Sequence, residues 1–225
     1  MADDVKQLKE EMQSRGARGL ALDIDETLAD SNSHWFDHMI AFHPLEGVHK
    51  KEIVERYKFM EHVPGWDNQE AIDRMTGLMH SNEFNETVPL IEDAYHVVNT
   101  IQQSIPIAAY ITARPATIRT GTEKWLLKNG FPKAPLIMRP TTTEVSKPDG
   151  LYRNSWKANI LQFLYPEVLG IVDDNLGLAH ELVELKYPGT LYLYGPQTEA
   201  FTETENVILC PTWKSVLPAV LRSIH

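Results

Sequence analysis

Three short aliphatic runs in this chain each finish on polar residues. Gly19-Leu20-Ala21-Leu22 ends on Asp23 and Asp25, Ile105 to Ile111 on Thr112-Ala113-Arg114-Pro115, and Leu169-Gly170-Ile171-Val172 on Asp173-Asp174. Apolar runs of this length, bounded by turn residues, read as buried strands. Helical patterns separate them, and strands alternating with helices imply βαβ units. The expected fold class is therefore α/β, a doubly wound, mainly parallel sheet with helices on both faces. In such a sheet the carboxyl ends of the strands share one edge, and ligands bind there near the switch point. One acidic strand end is common, but three of complementary chemistry on one edge have no structural explanation.

The remaining elements fit that frame. Val5, Leu8 and Met12 predict an amphipathic helix over Asp4 to Arg15. Helices are expected over Val48 to Met60 and Gln69 to His80, parted by Pro64-Gly65, and Glu92 to Gln103 leads back into the core. Further helices are expected over Thr117 to Asn129, Ser155 to Leu164 with Ser155 as cap, Leu176 to Leu185 and Trp213 to Ser223; Pro135 to Met138 and Gly189 to Tyr194 read as strands. The segment between the first two strands is rich in His, Trp, Met and charge and poor in β-branched runs. This divides the chain into a core, 1–29 with 100–225, and a helical insertion, 30–99.

Asp23 and Asp25 follow a buried strand, where side chains alternate between faces. They share a face only if the backbone bends after Asp23. Clustered carboxylates at a strand end repel and are costly to desolvate. A divalent cation resolves that cost and suits the pair to work on a phosphate. The bland alternative is an acidic loop with Thr27 as a helix cap.

The chain has 225 residues, 43% of them hydrophobic and 23% charged, as expected of a globular protein that can bury a substantial core. A formal net charge of −10 argues against a dedicated binder of nucleic acid or anionic membrane. The single cysteine, Cys210, excludes an intrachain disulfide and reads as a small apolar residue near a strand end. Met1 to Gly16 is too polar for a signal peptide, and no apolar run approaches the roughly 20 residues that span a bilayer. The expectation is a cytoplasmic protein; no residue signals an oligomeric state.

Taken in order, Asp23-Ile24-Asp25-Glu26-Thr27, Thr112, a following lysine and Asp173-Asp174 resemble the four motifs of the haloacid dehalogenase superfamily of phosphohydrolases, over nearly the whole chain. The resemblance implies a Rossmann-like core with a helical cap inserted between the first two motifs. It makes Asp23 the nucleophile that forms an aspartyl-phosphate and Asp25 the general acid and base, whose backbone carbonyl is a metal ligand. Mg²⁺ is the implied cofactor, held by Asp23 and the fourth motif. Aligning the usual Gly-Asp of the family puts Asp174 on the ligand position; the usual later acid falls on Leu178, leaving Asp173 as second partner. Thr112, with Ala113 beside it, binds a phosphate oxygen, unless Thr112 only caps the next helix. Arg114 is a substrate contact or a surface residue of a pre-proline turn.

The third-motif lysine is Lys147, in Ser146-Lys147-Pro148, or Lys157. A lysine at a helix start opposes the dipole and calls for a nearby anion, which favours Lys157. A cap excludes water and bulky ligands, so the implied substrate is a small phosphate monoester. In the insertion, His34 and Trp35 could face the leaving group. The plainer expectation is that Trp35, Phe36, Phe42 and Trp66 hold the insertion together, with its histidines on a solvated face. Alternative activities are those of a 5′-nucleotidase, a polynucleotide 3′-phosphatase, a phosphatase of phosphoprotein tails, or a non-catalytic phosphate-binding module or phosphoacceptor domain of related fold.

Overall fold

A computed structural model describes residues 1–44, 52, 57, 63–140, 149–196 and 201–223. Apart from Glu52 and Tyr57, the expected helix over Val48 to Met60 lies outside these, as does the candidate Lys147. Elements run α1 (Asp3–Ser14), β1 (Gly19–Leu22), α2 (Ser31–Phe42), α3 (Gln69–Met79), α4 (Asn82–Glu86), α5 (Ala94–Ile101), β2 (Ile107–Pro115), α6 (Arg119–Lys128), β3 (Leu136–Arg139), α7 (Asp149–Leu164), β4 (Val168–Asp173), α8 (Leu176–Glu184), β5 (Thr190–Tyr194), β6 (Val207–Cys210) and α9 (Trp213–Ser223).

All six strands pair in parallel, in the order β3-β2-β1-β4-β5-β6. The order reverses beside β1, so the carboxyl ends of β2, β1 and β4 stand next to one another. Every residue of β1 is buried because both faces are covered. Leu20 and Leu22 pack with Val98 and Ile101 of α5, Trp125 of α6 and Val216 and Val220 of α9. Ala21 faces the other layer, with Val5 and Leu8 of α1, Leu161 and Leu164 of α7 and Leu182 of α8. Period-two alternation thus divides each strand between two apolar layers.

The insertion has its own small core: Phe36, Met39, Val63, Trp66, Ala71, Met75, Leu78 and Phe84. Val88, Ile91 and α5 pack in the main core instead. Polar links bind α4 and its flanks to the α6 region: His80 Nδ1 lies 2.9 Å from Thr117 Oγ1, Gly121 N–H donates to Asn82 Oδ1 at 2.6 Å, and Lys124 reaches Glu86 at 2.9 Å. Gly121 permits this crossing, since a Cβ there would lie 2.5 Å from the Asn82 carbonyl oxygen. No described helix is long and apolar enough to cross a membrane.

Several local expectations are corrected. Ser155 does not cap α7, which begins at Asp149; its hydroxyl donates to Glu181 on α8 at 3.1 Å. Thr112 caps no helix, because β2 continues to Pro115 and its hydroxyl accepts the Arg114 N–H at 3.2 Å. Phe42 is exposed beneath the Arg74 guanidinium rather than packed inside the insertion. His34 and His38 are half-buried, with ring centroids 4.7 and 4.8 Å from Phe84, rather than solvated. Helix α2 escaped the sequence pattern because Phe36 and Met39 give it only a narrow buried stripe.

Candidate functional site

The Asp23 N–H donates to the Val172 carbonyl at 3.0 Å, extending the pairing of β1 with β4 by one residue. The chain then turns: the Ile24 carbonyl collects the N–H groups of Thr27, Leu28 and Ala29 at 3.4, 2.8 and 2.9 Å. Glu26 takes φ 55, the left-handed region that non-glycine residues seldom occupy. The indole of Trp213 holds this turn from α9, donating to the Thr27 carbonyl at 2.9 Å. This is the bend that carries the second aspartate back to the side of the first.

On the β4 side, Lys157 projects from within α7 between two carboxylates. Its Nζ lies 2.9 Å from Asp23 Oδ1 and 2.7 Å from Asp173 Oδ2, and all three side chains are at most 8% exposed. The helix-start argument for Lys157 does not hold, since α7 begins well before it; the buried carboxylates account for its position. Asp173 Oδ1 accepts the Asn175 N–H at 2.9 Å, and Asn175 caps α8 through Gly177 N–H at 2.8 Å. Asp173 therefore has both oxygens engaged, whereas Asp174 is half-buried beside it.

On the β2 side, Arg114 is buried, not a surface residue. Its Nη2 donates to Asp25 Oδ1 at 2.7 Å, and its Nε lies 3.0 and 3.1 Å from Oδ1 and Oδ2. Nη1 reaches Thr122 Oγ1 at 3.3 Å, and the guanidinium lies 5.9 Å from the Trp125 ring centroid. Ser31, the first residue of α2, donates to Asp25 Oδ1 at 2.5 Å. Glu26 accepts the Asn32 N–H at 2.6 Å, taking the capping role that Asp30 leaves unfilled. The Ala113 carbonyl accepts from Arg139 Nε at 3.1 Å. Ser31, Glu26 and Asn175 were missed in the sequence. Glu26 lies inside the first motif, and its position there was the available signal.

Charge is unevenly distributed over these groups. Burial is the main force pushing the Asp23 carboxyl up to about 7; Asp173 and Asp25 add to it while Lys157 opposes. Burial also lifts Asp174 well above the carboxylate range, reinforced by Asp173, Asp23 and Glu26, and it raises Glu26 to about 7. For Asp25 burial acts upward too, but Arg114 and then Ser31 hold it below its usual value.

Asp23, Asp173 and Asp174 can each offer an oxygen, all within 4.8 Å of one another. Lys157 Nζ is shared between Asp23 Oδ1 and Asp173 Oδ2, so a single ammonium serves two of these carboxylates. Three crowded carboxylates facing one ammonium, all oxygen donors, fit a hard divalent cation.

No protein-family model matches the chain, and no curated protein matches it significantly. Solved structures do. A HAD-superfamily hydrolase from Ehrlichia chaffeensis is 15% identical with a TM-score of 0.50, covering 93% of this chain and 99% of its own. A HAD-superfamily hydrolase of subfamily IA, variant 1, from Geobacter sulfurreducens is 13% identical with a TM-score of 0.55, covering 91% and 96%. At such identities the likeness is one of architecture: over nearly its whole length, this chain has the fold of the haloacid dehalogenase superfamily hydrolases.

Proposed function

We propose that the protein is a Mg²⁺-dependent phosphatase that hydrolyses a small phosphate monoester through an aspartyl-phosphate on Asp23. The observation that carries this reading is the convergence of Asp23, Lys157, Asp173 and Asp174 at two neighbouring strand ends, with Asp25 presented from the turn between them and β2.

In the first step an Asp23 carboxylate oxygen attacks phosphorus, and the bond from phosphorus to the ester oxygen breaks. The leaving alkoxide takes a proton from Asp25. In the second step Asp25 takes a proton from water, the resulting hydroxide attacks phosphorus, and phosphate leaves with Asp23 regenerated. Arg114 and Ser31 hold the resting Asp25 as a carboxylate, so the proton it gives the leaving oxygen comes in with the monoanionic ester, and the proton it takes from water leaves with the product phosphate. Lys157 offsets the charge of Asp23 and keeps one nucleophile oxygen in place. Thr112 and Ala113 stand at the adjoining strand end, where a phosphate oxygen would be bound. Asp23 and Asp174 would hold Mg²⁺ with the Asp25 backbone carbonyl, leaving Asp173 to Lys157. The cation would supply positive charge against the phosphate oxygens. The insertion, beginning at Ser31 directly beside Asp25, is read as the cap that limits substrate size.

The test is a panel of phosphate monoesters, including nucleoside 5′-monophosphates, assayed with and without Mg²⁺. Metal-dependent turnover that Asp23→Asn abolishes is the expected result. A folded protein that binds Mg²⁺ and turns over no ester would instead be a non-catalytic phosphate-binding module.

A further inference from the structure

Arg114 is turned inward, away from a phosphate. Of the five N–H bonds of a guanidinium, three are engaged, Nε and Nη2 on Asp25 and Nη1 on Thr122. The side chain is 3% exposed. Meeting a phosphate would mean breaking the fork on Asp25 and giving up its charge-assisted hydrogen bonds.

The donors on Asp25 are not shared equally between its oxygens. Oδ1 receives Arg114 Nη2 at 2.7 Å, Arg114 Nε at 3.0 Å and the Ser31 hydroxyl at 2.5 Å. Among the described residues, Oδ2 receives only Nε, at 3.1 Å. A carboxylate offers about four lone-pair sites, so Oδ1 is saturated and Oδ2 keeps open capacity. The Asp25 side chain is 36% exposed, so a ligand can reach it.

We infer that Arg114 and Ser31 are positioning residues that lock the Asp25 carboxylate in one orientation, making Oδ2 the oxygen that exchanges protons with the leaving group and with water. The inference rests on the phosphatase reading above and deepens it. Ser31 opens α2, and the Asn32 N–H that follows is tied to Glu26 of the same turn. The orientation of Asp25 is therefore set jointly by the end of β2 and the first turn of the insertion.

Leaving-group dependence tests this. p-Nitrophenolate departs without a proton, whereas phenolate, a much stronger base, needs one from Asp25. With Mg²⁺ present, Arg114→Gln should lower kcat/KM, which reports the first step, about 100-fold for phenyl phosphate and less than about tenfold for p-nitrophenyl phosphate, within the range of a general acid. Ser31→Ala should show the same selectivity at about tenfold, the scale of one hydrogen bond to a charged group. In both variants kcat should fall on both esters, because the second step, common to them, also runs through Oδ2. If Arg114→Gln does not fold, Ser31→Ala carries the test alone, since it removes a single hydroxyl.

Equal losses of kcat/KM on the two esters would overturn the inference while leaving the phosphatase reading intact. So would a tenfold rise in KM at unchanged kcat, which would make Arg114 a phosphate ligand. Absence of turnover by the unaltered protein on both esters would remove the phosphatase reading, and this inference with it.

Discussion

Lys157 and Arg114 flank β1 from opposite sides, and they use their charge differently. Lys157 is shared between Asp23 and Asp173, with Asp174 nearby, so negative charge stays in excess on the β4 side. Arg114 closes on Asp25 alone in a fork, with the Ser31 hydroxyl completing the shell. The first arrangement is unfinished and calls for a cation. The second is complete, so its cation serves to hold rather than to bind. A point charge suits the first task, and a planar fork suits the second. Deficit marks where a ligand is expected, and saturation marks where orientation is being set.

The largest expected effect breaks the Lys157 side at the nucleophile. Asp23→Asn should lower turnover of p-nitrophenyl phosphate by more than about 10³-fold with circular dichroism unchanged, as expected when a nucleophile is removed. Activity within tenfold of normal would exclude the covalent route.

Lys157→Met should cost about 3–5 kcal/mol in urea unfolding without metal, since it strands two buried carboxylates. Added Mg²⁺ should recover part of that loss. Unchanged stability would show that the excess charge on this side is illusory.

Metal addition should raise the melting temperature of the unaltered protein, by about 2.7 kcal/mol of stability at a hundredfold excess over Kd. In Asp174→Asn that gain should shrink, while the metal-free form should become more stable because repulsion with Asp173 and Asp23 is relieved. A full gain in the variant would move the metal elsewhere.

The two sides should also differ in pH dependence. Asp23 and Asp174 bind protons more tightly folded than unfolded, so their contribution to stability is lost as pH rises, for Asp23 from about 4 through about 7. Differential scanning fluorimetry of the metal-free protein should show that decline, reduced in Asp174→Asn and absent with saturating Mg²⁺. Asp25, held low, has the opposite sign: its contribution is present above about pH 4 and is lost on acidification below it.

The smallest effect lies on the Arg114 side. Thr122→Val removes the acceptor at 3.3 Å and should cost about 1 kcal/mol, with activity nearly kept, because the fork on Asp25 survives. A large loss of activity would mean that the fork depends on Thr122.

The fold was legible where strands were aliphatic and helices strongly periodic. Gly19–Leu22, Gln69–Met79 and Trp213–Ser223 appear within a residue or so of their expected bounds. β6 is marked in the sequence only through Cys210 near a strand end, with no range, and its extent is set by pairing with β5. The chemistry of the site was legible as residue types at strand ends, and the partnerships were not. Nothing local says that Arg114 turns inward to Asp25, that Ser31 reaches back to the same carboxylate, or that Lys157 sits within a helix rather than at its start.

Two things were therefore determined by the sequence alone: a parallel α/β sheet, and one edge of it carrying Asp23, Asp25, Thr112, Arg114, Asp173 and Asp174. Strand periodicity and chain order suffice for both, because parallel strands bring their carboxyl ends together. Only the tertiary structure decided which cation meets which carboxylate. That choice depends on distances of about 3 Å between residues far apart in the chain, set by how α7 packs against the sheet and by the pairing of β2 with β1.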